Sequence, residues 1–263
     1  MSIFEPMEYG VCLLSHVPCR AESSDKSEMV TQLLFGETYS ILESTDKWVK
    51  IKIQHDQYEC WICAKQVAAI SEDEFNEIDL RQQSYCTELV QVIQSTVQMQ
   101  AVVLGSTMVN YQNEECTVAG NTYGYQGGVS DSTAKATKDK ITEDAFMYLG
   151  APYLWGGRSP FGIDCSGFTQ MVYRLNNITL PRDASQQVEM GGDYSFVEEA
   201  EPGDLAFFDN EEGNITHVGI LLNDGKIIHA SGQVRIDKLD HHGIFNEETG
   251  KYTHKLRIIK NLL

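Results

Sequence analysis

The chain has 263 residues, 42% hydrophobic and 22% charged, the balance of an ordinary globular protein. Lysine plus arginine number 20 against 38 aspartate plus glutamate, a formal net charge of −18. That argues against a partner read through phosphates and against docking on anionic membranes, both of which need a basic surface.

At about 150 residues per domain the length gives a prior of roughly two domains. No stretch approaches the ~18 uninterrupted apolar residues of a membrane span. The start, Met1-Ser2-Ile3-Phe4-Glu5-Pro6, has no basic n-region and no apolar h-region. The expectation is a cytoplasmic protein, with an exported form whose signal has been removed as the alternative. The seven cysteines (Cys12, Cys19, Cys60, Cys63, Cys86, Cys116 and Cys165) are odd in number and irregularly spaced, which fits a reducing compartment better than a disulfide framework.

In chain order, Met29–Phe35, Thr38–Leu42, Trp48–Ile53 and Glu59–Cys63 are β-branched or aromatic runs broken by turn residues, and read as the short strands of a small barrel. Val90–Ile93 and Val97–Leu104 repeat that texture more weakly. The segment 127–134, Gly-Gly-Val-Ser-Asp-Ser-Thr-Ala, reads as a linker. Charge is uneven across it: residues 1–134 carry 7 basic and 19 acidic side chains, and residues 135–263 carry 13 and 19. Beyond the linker the period changes. Ile141–Leu149 predicts a helix stopped by Gly150. Cys165–Asn176 places Phe168, Met171, Val172 and Leu175 on one helical face. Asp204–Phe208, His217–Leu222, Lys226–Ala230 and Lys255–Lys260 read as antiparallel strands, the middle pair joined through Asn223-Asp224-Gly225. Helices followed by strands make an α+β domain. The expected layout is two β modules, 1–75 and 76–130, then a catalytic domain, 131–263.

Cys165 sits where a glycine-rich loop meets a helix. The unpaired N–H groups and the dipole there favour a thiolate and offer oxyanion donors. A buried structural cysteine is the other reading of that position. His217 and His229 lie on neighbouring strands. An odd loop places His229 opposite residue 219 and on the face of His217, whereas a two-residue loop separates them. A Cys–His–His relay, with one histidine as base and the other orienting it, therefore requires an odd loop, for example of three residues.

The segment Ala151-Pro152-Tyr153-Leu154-Trp155-Gly156-Gly157 through Asp164-Cys165-Ser166-Gly167-Phe168 resembles the active-site signature of the NlpC-type cysteine peptidases. Thr216-His217-Val218-Gly219-Ile220 and Ile228-His229-Ala230-Ser231-Gly232 resemble the two histidine motifs of that family. The resemblance covers roughly residues 140–262 and implies a papain-like α+β fold, with Cys165 as nucleophile, His217 as base, His229 as orienting residue and Tyr153 helping the oxyanion hole. The first half is similar to the bacterial SH3-like modules of the dipeptidyl-peptidase VI subgroup, on Arg20-Ala21-Glu22, Ser27-Glu28-Met29-Val30, Gln32-Leu33-Leu34-Phe35-Gly36-Glu37 and Asp56-Gln57-Tyr58-Glu59-Cys60-Trp61-Ile62. Leu180-Pro181-Arg182-Asp183-Ala184-Ser185-Gln186-Gln187 also fits that subgroup.

That likeness implies hydrolysis of the γ-D-glutamyl-L-diamino acid bond in free murein peptides with an unblocked N-terminal L-Ala, as in cell-wall peptide recycling. A free amine is cationic near neutral pH and needs carboxylates or acceptors. Asp164, Glu28 and Tyr58 would supply them, with Ser166, Trp155 and Asp183 as pocket wall. Arg182 has two readings, a partner for a substrate carboxylate or a structural ion pair. The chain departs from the subgroup at Cys60, often glycine, and Ala184, often serine, so Ser185 has an open role. The diamino acid, lysine or diaminopimelate, is also open. The expectation is a monomer with no cofactor, no metal, no nucleic-acid partner and no membrane span. Cys60-Trp61-Ile62-Cys63 lies in a strand-like stretch that puts its two thiols on opposite faces, against a metal or redox role. The competing readings are an exported wall endopeptidase and a catalytically silent wall-binding protein.

Overall fold

The computed structural model describes residues 8–78, 83–194 and 197–263. The chain divides into two units, Met1–Thr133 and Ala134–Leu263.

Among the described residues the first unit is all-β apart from the short helix Glu72–Glu77 and a 3-10 turn at Ala64–Gln66. Its larger sheet is antiparallel, in the order Met29–Leu34, His16–Arg20, Glu59–Cys63, Trp48–Ile53, Thr38–Ser44, Tyr9–Val11, Ala68–Ile70. The Trp48–Ile53 strand shows why: Val49, Ile51 and Ile53 are buried, and the alternating Trp48, Lys50 and Lys52 face outward. Bulges between Cys19 and Arg20 and between Ile41 and Glu43 bend the sheet as an SH3-like barrel needs. Cys60 points into the core and Cys63 to the other side. A second, four-stranded sheet runs Met99–Val103, Val90–Gln94, Asn121–Gly124, Glu115–Val118. Ile93, Val102, Met108 and Tyr123 pack with Val11 and Phe35 of the larger sheet, so the two sheets share a core.

The segment expected as a linker is largely built into this unit. Thr87 N donates to Gly128 O at 3.0 Å, Ser130 N donates to Tyr85 O at 2.8 Å, and Val129 bridges Cys86. Small polar residues there serve strand pairing rather than free chain.

The second unit has the papain-like arrangement of a helix headed by cysteine against an antiparallel sheet. The sheet order is Gly192–Asp193, Lys251–Asn261, Leu205–Asp209, Ile215–Leu222, Lys226–Ser231, Gln233–Asp240, Gly243–Asn246. Lys251–Asn261 also pairs with Gly243–Asn246, which closes six strands into a barrel. The first helix runs Lys138–Phe146, three residues earlier than its apolar pattern predicts, because the Thr137 side chain caps it at Lys140 N. The cysteine helix, Cys165–Leu175, is buried on every side and not on one face only. Several of its polar groups find partners inside the protein: Thr169 Oγ1 donates to Gln187 Oε1 at 2.7 Å and Gln170 Nε2 to Leu180 O at 3.1 Å. The strands Gln233–Asp240 and Gly243–Asn246 have no counterpart in the sequence reading. The alternation Val234-Arg235-Ile236-Asp237 is short and is broken at Lys238, where an apolar residue is due.

Candidate active site

Cys165 is the first residue of its helix, and Asp164 is the cap: its Oδ1 accepts from Gly167 N at 2.7 Å. Gly167 is required for this turn, since a Cβ there would lie 2.4 Å from Gly157 O and 2.9 Å from Asp164 Oδ1. The Cys165 N–H, in the first turn, has no acceptor within the helix.

The thiol itself is buried, and burial pushes it up to about 12, with the Asp164 carboxylate adding to the rise. Backbone hydrogen bonds at Val218 and Ser166 and the charge of Arg182 pull the other way and are outweighed. The thiolate expected from the helix dipole is therefore not the resting form. Desolvation exceeds the dipole's half-charge, and a base must take the proton as the thiol attacks.

The candidate base is His217. The loop between the two histidine strands has three residues, 223–225, with Leu222 paired to Lys226 and Gly219 to His229. Asp224 and Gly225 take φ of 60° and 62°, the left-handed conformation such a turn needs. His217 and His229 consequently share a face, with His217 Nε2 and His229 Nδ1 2.8 Å apart. Gly219 lets them meet, because a Cβ there would come within 2.8 Å of His229 Cβ. Burial, then the neighbouring His254 and His229, hold His217 well below the ordinary imidazole range, so it is neutral and able to accept a proton.

Tyr153 lines a pocket of about 240 Å³ together with His217, Ser231, Gly232 and His254. Its N–H donates to Gly232 O at 2.9 Å. Burial, with the Asp164 carboxylate adding to it, pushes its phenol up to about 12, so the hydroxyl keeps its proton and remains a donor.

Asp164 and Arg182 form a buried bidentate pair, 6% and 1% exposed. Arg182 Nη1 donates to Oδ1 at 3.0 Å and Nη2 to Oδ2 at 2.5 Å. Gly156 N adds a bond to Oδ2 at 2.8 Å, and Arg182 Nη1 also reaches Ser166 Oγ at 2.9 Å. Of the two readings of Arg182, the geometry is that of the structural ion pair. Asp164, with the Gly167 bond included, has about all its four acceptor directions engaged inside the protein. Asp183 precedes the short helix Ala184–Gln187, in which Ala184 is buried and Ser185 exposed. Trp155 stands in a turn, 59% exposed. Glu28 and Tyr58 belong to the first unit. Each directly precedes a strand, Met29–Leu34 and Glu59–Cys63, at the same end of the sheet with His16–Arg20 between them. Glu28 is exposed and Tyr58 half-buried.

Two residues of the site escape a reading of the sequence. Asp237 Oδ2 lies 3.0 Å from His229 Nε2. The His254 ring stacks on His217, centroids 4.1 Å apart at 23°. Burial, then His229, push His254 down to about 4. Asp237 sits eight residues past His229 on the next strand, and a charged position in that strand is the signal that points to it. Nothing local marks His254, which arrives from the far strand Lys251–Asn261. A larger cleft of about 970 Å³ shares Thr216 and His254 with the histidine pocket and carries Asp209, Glu211 and Lys255.

The sequence profile of the NlpC/P60 family matches residues 150–253, and that of the bacterial dipeptidyl-peptidase Sh3 domain matches residues 19–67. The chain is 27% identical over 260 residues to a γ-D-glutamyl-L-lysine dipeptidyl-peptidase of Bacillus cereus, covering 86% of this chain and 75% of that protein. A protein of the same name from Bacillus subtilis is 42% identical over 101 residues, 38% of this chain and 34% of the relative. The crystal structure of an NlpC/P60 family protein from Bacillus cereus shares the fold, with a TM-score of 0.81 and 19% identity over 97% of this chain and 99% of that one. The chain is a cysteine peptidase, with an NlpC/P60 domain at residues 150–253 and a bacterial dipeptidyl-peptidase SH3 domain at residues 19–67.

Proposed function

We propose that the protein hydrolyses the γ-D-glutamyl-L-diamino acid bond of free murein peptides that begin with an unblocked L-Ala, releasing L-Ala-D-Glu. The observation that carries this reading is the pairing, in one chain, of the Cys165–His217–His229 site with an SH3 domain of the dipeptidyl-peptidase kind. The names of the two Bacillus relatives agree with it. In the same reading the enzyme works in the cytoplasm, as a monomer, on peptides recovered from the wall.

In the chemistry, His217 takes the Cys165 proton as sulfur attacks the γ-carbonyl of D-Glu. The Cys165 N–H and the Tyr153 hydroxyl stabilise the oxyanion. His217 then hands its proton to the departing α-amine of the diamino acid. Water, deprotonated by His217, hydrolyses the L-Ala-D-Glu thioester and restores the thiol. Glu28 and Tyr58, in the first unit, have the chemistry to accept hydrogen bonds from an amine. Asp164, neutralised by Arg182, shapes the cysteine loop and offers the amine a polar wall with Ser166, Trp155 and Asp183. The leaving diamino acid carries charges of both signs, as the cleft with Glu211 and Lys255 does.

The test is mass spectrometry of products from L-Ala-γ-D-Glu-L-Lys, its diaminopimelate analogue, the N-acetylated tripeptide and intact wall, with Cys165→Ala as the blank. Cleavage of the free tripeptides at least 100-fold faster than of the blocked one is expected. Comparable release from acetylated peptide or wall would overturn the proposal.

A further inference from the structure

We infer that Asp237 is a positioning residue of this site, setting which nitrogen of His229, and through it of His217, carries the proton. The inference rests on His217 acting as base to Cys165. Arg235 is the direct partner of His229 across the sheet, and Asp237 lies two residues on, so all three project from one face. Asp237 Oδ2 is 3.0 Å from His229 Nε2, while its Oδ1 accepts from Arg235 Nη2 at 3.1 Å.

A carboxylate only accepts. His229 Nε2 therefore carries the hydrogen, and Nδ1 of the neutral ring is bare. His217 Nε2, 2.8 Å from that bare nitrogen, must be the donor in their contact. The lone pair of His217 is thereby assigned to Nδ1. Each step dictates the next, and the chain ends on an open acceptor in the residue beside Val218, whose backbone hydrogen-bonds the Cys165 thiol. His217, His229 and Asp237 are 5%, 1% and 8% exposed, so water does not compete for these bonds. Burial raises the Asp237 pKa, but the bonds from His229 and Arg235 outweigh it and keep the carboxylate ionised. When Cys165 attacks, its proton moves from Sγ to His217 Nδ1. The hydrogens on His217 Nε2 and His229 Nε2 stay in place, and the imidazolium is stabilised along the chain.

Asp237→Asn turns this logic around. Arg235 can only donate; its Nε lies 2.8 Å from Oδ2 but makes no hydrogen bond, while its Nη2 donates on the Oδ1 side, so the amide oxygen sits there and the amide NH₂ faces His229. His229 is then bare at Nε2 and protonated at Nδ1, which leaves His217 protonated at Nδ1, toward the thiol. The corresponding exchange in a serine–histidine–aspartate triad costs about 10⁴ in kcat.

The test reads imidazole ¹⁵N shifts of the full chain, together with the rate at which iodoacetamide alkylates Cys165, followed by peptide mapping. Neither readout needs a substrate. Nε2–H on both His217 and His229 is expected in the native protein. In Asp237→Asn the pattern should invert and alkylation and kcat fall at least 100-fold, with KM little changed and part of the loss recovered in Asp237→Glu. Native His229 protonated at Nδ1, a result that does not depend on any variant folding, would overturn the inference. So would native tautomers and rates in Asp237→Asn. Unchanged alkylation in His217→Ala would instead remove the base assignment on which the inference rests.

Discussion

Replacing Arg182 with methionine tests how the cysteine loop is held. The change removes both arms of the bidentate pair and leaves the Asp164 carboxylate, 6% exposed, with the N–H groups of Gly156 and Gly167 and a long 3.4 Å bond from the Ser166 hydroxyl. Breaking a buried pair by deleting one partner costs about 3–5 kcal/mol, chiefly because the remaining charge is stranded. Arg158 is also fully buried and close enough to oppose the charge of Arg182, so it offsets part of the exposed anion. The lower end, about 3 kcal/mol, follows, or roughly a hundredfold in the folding equilibrium of the second unit. The double variant Asp164→Asn/Arg182→Met removes both charges. It should recover about 1–2 kcal/mol and not the whole, because the new amide NH₂ would face the Gly156 N–H. With two units in the chain a single global transition is not assured. Hydrogen exchange of peptides spanning 165–175 under increasing urea therefore reads the relevant unit directly. A loss under about 1 kcal/mol in the single variant, or a double variant no more stable than the single, would refute the reasoning.

Gly219→Ala forces a Cβ to 2.8 Å from His229 Cβ and from Ile227 Cδ1; overpacking of this kind costs about 1–3 kcal/mol, and displacement of His229 should lower kcat at least tenfold. Gly192→Ala, with nothing within 4 Å, is the control and should match the native enzyme in both Tm and kcat. Tyr153→Phe removes the proposed oxyanion donor and should lower kcat about 10²-fold with KM nearly unchanged; a loss confined to KM would place the hydroxyl on the ground-state substrate instead. His254 titrates near 4 in the fold against an ordinary 6.5, so between those values the unfolded chain binds a proton that the native protein does not. Stability is therefore intact above pH 6.5 and falls toward pH 4, by about 3 kcal/mol at most and less after solvent screening of the partly exposed ring. Comparing Tm at pH 7.5 and 4.5, the acid loss should shrink in His254→Phe; an equal loss would assign it elsewhere.

Local chemistry was legible in the sequence wherever it was self-sufficient. The strands Trp48–Ile53 and Glu59–Cys63 end where alternation and turn residues end them, and Cys165 heads its helix as the loop-to-helix pattern requires. The motif order around Cys165, His217 and His229 likewise needed no fold to be recognised. What the sequence left conditional was decided by pairing across the chain. A two-residue and a three-residue turn are both compatible with Asn223-Asp224-Gly225, and only the registered ladder, Gly219 opposite His229, puts the two imidazoles on one face. Arg182 meets Asp164 across 18 residues, and Asp237 and His254 reach the histidines from separate strands, contacts that no local pattern encodes. The charge state of the thiol was decided in the same way. The helix end by itself favours a thiolate, and the surrounding protein, by excluding water from Cys165, reverses that preference and leaves the proton on the cysteine.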